Sequence, residues 1–147
     1  MQKAIVELFE RDLNKLEQQV LAYQKEKNLW LINKDIPNSA GNLALHICGN
    51  LQHFIGAVLG KNGYVRNRDN EFSAKNVKRE TIIEEIYNTQ TVVSRVLSNM
   101  THETLTRKYP EQALGYEMTT EYFLIHLYGH LSYHLGQLNY HRRLLDR

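Results

Sequence analysis

The sequence predicts an all-α protein built as a four-helix bundle. Three observations predict it: only two prolines in 147 residues, long stretches free of helix breakers, and apolar residues recurring at helical spacing. The length suits one domain over residues 1–147, able to bury a core without disulfides or other staples.

The first helix is expected over roughly residues 2 to 27, where Ile5, Leu8, Phe9, Leu16 and Val20 form a stripe. Arg11, Lys15 and Gln18 take the other faces. Asp35-Ile36-Pro37-Asn38-Ser39 reads as a turn, with Asn38 or Ser39 placed to cap a second helix. That helix runs to about Leu59 and stops at Gly60 and Gly63. The polar, aperiodic segment 61–76 is expected to be a connecting loop. Ile82, Ile86, Val93 and Leu97 mark a third helix from about Lys78 to Met100. A second loop follows to about Met118, holding Pro110 and Gly115. The last helix covers Thr119 to Leu145, about 40 Å long at ~1.5 Å per residue.

Composition excludes several classes. Eighteen Lys and Arg against sixteen Asp and Glu leave a formal charge of +2, too little for an electrostatic nucleic-acid or membrane surface. The basic spots Arg66/Arg68 and Arg142/Arg143 are too small for a nucleic-acid stripe. MQKAIVELFERD lacks the pattern of a cleaved leader, and no apolar run is long enough to cross a bilayer. With a single cysteine, the expected location is the cytoplasm. Glu-x-x-His pairs for a di-iron bundle are absent, and His102-Glu103 is not followed by the second histidine of HExxH. A P-loop, a G-x-G-x-x-G turn and paired zinc-finger cysteines are missing as well.

Histidine is the unusual residue: seven in all, four of them His126, His130, His134 and His141 on the last helix. At about 100° per residue these four share a sector some 80° wide beside the apolar stripe. Gln137 lies in the same sector, and Tyr122, Tyr133 and Tyr140 form its other flank. Histidines one turn apart, about 6 Å, can converge on one ion, whereas His126 and His134, about 12 Å apart, cannot easily do so. Either 126/130 or 130/134 meets the spacing. A third ligand can come from the second helix, where His46, Asn50 and His53 fall close together on the wheel. Again only one histidine, His46 or His53, should join. Three imidazoles would leave a fourth position for water or substrate. Structural histidines that bond carbonyls are the competing reading. Asp12 is expected at the edge of its stripe, with a supporting contact to a ligating histidine as the alternative. Cys48 faces away from His46 and is expected to be a small buried hydrophobe.

HLSYHLGQLNYHRRLL resembles the last-helix signature HxxxHxGQ of the DinB superfamily of four-helix-bundle proteins. LALHICGNLQHFIGAVL and the following NGYVRNRDNEF are similar to a subgroup with HxxGN and RxRDxEF patterns. The resemblance spans essentially the whole chain. It implies metal ligands at His130 and His134, by position before Gly136-Gln137, and at His46, by position before Gly49-Asn50. It leaves His53, His126 and His141 as pocket, supporting or structural residues, with Asn50, Gln137 and Tyr133 also expected in the pocket or behind the ligands. Gly136 is expected to permit close helix packing, and the Arg66–Phe72 loop to tie down a connection rather than take part in chemistry. The implied cofactor is a divalent metal, zinc first, with nickel, iron or manganese as alternatives. The implied reaction is transfer of a low-molecular-weight thiol, such as bacillithiol or mycothiol, to a small electrophile by a homodimer. Tyrosine hydroxyls in the pocket between helices would serve as proton donors. The alternative is a non-catalytic dimeric module that holds a metal or small ligand in a stress response.

Overall fold

The computed structural model describes residues 2–147. Four long helices make the bundle: α1 (Gln2–Leu21), α2 (Ala40–Leu51) with its continuation Gln52–Leu59, α4 (Arg79–Ser98) and α6 (Thr120–Leu145). Two short helices, α3 (Arg68–Ser73) and α5 (His102–Thr106), lie in the connections. α1 packs on α4 and α6, and α2 packs on the same two, so α1 and α2 face each other diagonally. The core filling the space between them includes Phe9, Leu13 and Leu16 of α1, Ile47 and Leu51 of α2, Ile82 and Ile86 of α4, and Leu127, Leu131 and Leu138 of α6. The expected all-α bundle is therefore the observed one, its stripes meeting along one seam.

Local chemistry explains where the elements begin and end. Ser39 caps α2, its hydroxyl accepting from the Asn42 N–H at 3.1 Å. Helix α1 stops at Leu21, six residues short of the expected boundary, and a 3-10 turn occupies Glu26–Trp30. The reason is tertiary. The Asp146 carboxylate, just past α6, accepts from the Gln24 N–H at 2.7 Å and from Asn28 Nδ2 at 2.9 Å, holding this segment in a non-α path.

Past Leu51 the second helix widens into π geometry. Gly60 N–H reaches back to the Ile55 carbonyl at 2.9 Å, and the Tyr109 hydroxyl donates to the Phe54 carbonyl at 2.7 Å. Both expected loops contain helix. The first holds α3, capped by Asn67, whose Oδ1 accepts from the Asn70 N–H. The second holds α5, opened by a reciprocal cap between Thr101 and Thr104. No described helix is long and apolar enough to cross a membrane.

Candidate metal centre

The histidine cluster stands where α2 and α6 pack together, with α3 against the outer side of α2. Nε2 of His130 lies 3.1 Å from Nε2 of His46 and 3.1 Å from Nε2 of His134. One nitrogen from each ring falls within 4.8 Å of the other two. The structure thus brings His46 together with the 130/134 pair, between the alternatives that spacing left open.

Each outer ring is held from behind. His46 Nδ1 donates to Glu71 Oε1 at 2.9 Å, and His134 Nδ1 donates to Gln137 Oε1 at 2.7 Å. With the proton on Nδ1, the Nε2 lone pairs of both rings point inward. A carboxylate or amide behind a histidine is the arrangement that orients and strengthens it as a ligand. Two nitrogens at ~2.05 Å from a tetrahedral ion stand about 3.3 Å apart, close to the spacing seen here. In donor type, tautomer and spacing, the set fits a divalent ion.

Electrostatics favour the neutral, metal-competent rings. Burial, with the neighbouring His134 and His46, pushes His130 down to about 3. Burial also lowers His134, against the opposing bond to Gln137. Glu71 sits only 5 % exposed, and burial alone would raise its pKa. The hydrogen bonds from Arg66 and His46 prevail and hold it below the usual carboxylate range. Arg66 grips that carboxylate through two nitrogens, each at 2.8 Å.

Glu71 and Arg66 are residues of the candidate site that the sequence pattern did not single out. The Arg66–Phe72 segment ties down its connection, and in doing so it places a carboxylate on a candidate ligand. Phe72 of the same short helix packs on His46, ring centroids 4.7 Å apart. The available signal was the Arg66/Glu71 pair itself, set one residue before Phe72 and within reach of HxxGN. The role of Gly49 in that motif is now visible: a Cβ there would overlap the Glu71 carboxylate. Gly136 is the opposite case and corrects an expectation, since a Cβ there meets nothing within 4 Å.

The remaining histidines go elsewhere. His53 lies 3.6 Å from Glu111, and His126 stacks on Phe123 with rings 7° from parallel. His141 is buried and structural, bonded to the Tyr23 hydroxyl at 2.7 Å and the Leu31 carbonyl at 2.8 Å. Asp12 contacts no histidine. It accepts from Arg11, Tyr128 and Ser132, joining α1 to α6. Tyr133 stays exposed with its ring 5.2 Å from that of His134. Asn50 is buried one turn beyond His46. Cys48 is buried as expected, its thiol pushed up to about 12 by desolvation, so it offers no ready thiolate.

A helical fold with three convergent imidazoles defines a bundle protein with a candidate metal centre. Over residues 2–147 the chain matches, and belongs to, the family described as "Protein of unknown function (DUF1572)". A solved structure titled as a conserved protein from Enterococcus faecalis is similar in fold, with a TM-score of 0.79 at 13 % identity. That alignment covers 99 % of this chain and 96 % of the other. No curated protein matches.

Proposed function

We propose that this protein is a divalent-metal-dependent enzyme of the DinB-like kind, with Nε2 of His46, His130 and His134 as the ligands and zinc as the leading metal. The single observation that carries the reading is the convergence of three Nε2 atoms whose outer rings are locked by Glu71 and Gln137. Three protein donors suit a catalytic rather than a structural site, because a tetrahedral ion then has one position left for a reactant. When bound, the ion would supply Lewis acidity, which favours a nucleophile formed from a thiol or water at neutral pH.

The protein's own groups do the rest. Glu71 retains the Nδ1 proton of His46, Arg66 holds Glu71 in place, and Phe72 shields the His46 ring from water. The Tyr133 hydroxyl, on the exposed flank beside His134, is the proposed proton donor. Thiol transfer to a small electrophile is preferred over hydrolysis on the HxxxHxGQ and HxxGN resemblance. The same resemblance supports a homodimer, and the length and lone cysteine support a single domain acting in the cytoplasm.

Elemental analysis of untagged protein tests the metal directly. One divalent ion per chain in wild type, lost in His130→Ala, is the expected result. Protein that retains no divalent metal, and whose metal affinity is unchanged by His130→Ala, would refute the reading.

A further inference from the structure

Asn50 follows His46 by four residues on α2, which puts the two side chains on one face of the helix, one turn apart. Gly49, facing Glu71 of α3, lies about 60° to one side of His46, and Asn50 lies about 40° to the other. Asn50 thus shares a helix face with His46, whose ring meets those of His130 and His134 on α6.

Asn50 is only 7 % exposed, and its Oδ1 is fully buried without a hydrogen-bond partner among the described residues. Its neighbours on the same helix differ. Asn42 donates to the Glu71 and Ala74 carbonyls, and His46 donates to Glu71. A buried acceptor left unpaired destabilises a fold and calls for an explanation. Leucine would fill this position at no such cost.

We infer that Asn50 is a ligand-positioning residue of the three-histidine centre: its Oδ1 accepts a hydrogen bond from a small ligand that carries an N–H or O–H beside its metal-binding atom. This rests on the metal-site reading above. It narrows the substrate class to molecules such as hydroxamates, secondary amides or hydroxylated thiols, and disfavours fully alkylated analogues. Asn50 is no partner in the Glu71–His46 or the Gln137–His134 bond, so its replacement leaves both supports of the outer histidines in place.

The test compares wild type with Asn50→Leu, using cobalt(II) as a visible probe and two ligands that share a chelating head. Acetohydroxamate carries the N–H; N-methylacetohydroxamate lacks it. Wild type is expected to prefer acetohydroxamate by about tenfold, the size of one hydrogen bond to a buried acceptor. Asn50→Leu is expected to bind cobalt as tightly as wild type, to lose that preference, and to melt higher than wild type when metal-free. Equal binding of the two ligands by wild type, a preference that survives in Asn50→Leu, or a lower melting temperature of the metal-free variant would each overturn the inference. A wild type that binds no cobalt would instead overturn the metal reading on which it rests.

Discussion

Glu71 Oε1 lies 2.9 Å from Nδ1 of His46 and 2.8 Å from Nη2 of Arg66. One buried carboxylate therefore sets the tautomer of a candidate ligand and is itself neutralised by the guanidinium beside it. Neither group could be buried alone at tolerable cost. The short helix α3 carries this carboxylate to His46 of α2.

Glu71→Gln keeps the shape but removes the charge and leaves Arg66 unpaired. Metal affinity should fall by about 10–100-fold, as it does when a carboxylate behind a ligating histidine is lost. Gln137→Ala should cost less, since Gln137 is exposed and water can replace its oxygen. Chelator-competition titrations of both variants measure the difference.

The two glycines of the motifs should behave oppositely. Gly49→Ala forces a methyl group into the Glu71 carboxylate, so a stability loss of about 1–3 kcal/mol is expected, with weakened metal binding. Gly136→Ala has open space and a helical backbone, so it should be neutral or stabilise by about 0.5–1 kcal/mol. Urea denaturation of the metal-free proteins checks both signs.

Burial lowers His130 to about 3 and also lowers His134 and His141. An unfolded histidine titrates near 6.5, so below about pH 6.5 the unfolded chain binds more protons than the folded one. The metal-free protein should therefore lose stability as pH falls from about 7 towards 5. His130→Phe should flatten that slope without abolishing it, because His134 and His141 still contribute. Melting temperatures across this pH range give the answer.

Asp12 responds lower on the pH scale. Burial acts to raise it, but hydrogen bonds from Arg11, Tyr128, Ser132 and Lys15 outweigh burial and bring it down to about 2. The stabilisation is present above about pH 4 and is lost as pH falls through about 2. Because Arg11 and Lys15 are half exposed, screening limits the effect to about 1–2 kcal/mol. Asp12→Asn should be less stable than wild type at pH 7 by that amount, with the gap closing near pH 2–3. Acid-unfolding curves of the two proteins test it.

Particular residues show what was legible in the sequence. The stripes through Ile5–Val20, Ile82–Leu97 and Leu127–Leu138 alone predict the bundle, because helical period and long breaker-free runs dominate over local detail. The last-helix histidines were legible as a face, since their spacing follows the helix. His46 became distinguishable from His53 only through the HxxGN context. The fold places His53 beside Glu111, beyond the start of the π segment. Helix α3 was hidden because six residues with Phe72 as their one apolar member carry no apolar period, and Glu71 because its burial depends on Arg66 and on the missing Cβ of Gly49. The early end of α1 was hidden for a related reason: its partner, Asp146, lies 122 residues from Gln24.

Diffraction at the metal absorption edge, on crystals of the zinc-loaded protein, tests the central claim most directly. The account predicts one anomalous peak about 2.1 Å from Nε2 of each of His46, His130 and His134, with one coordination position not taken by the protein. A peak bound elsewhere, or none between these three rings, would contradict it.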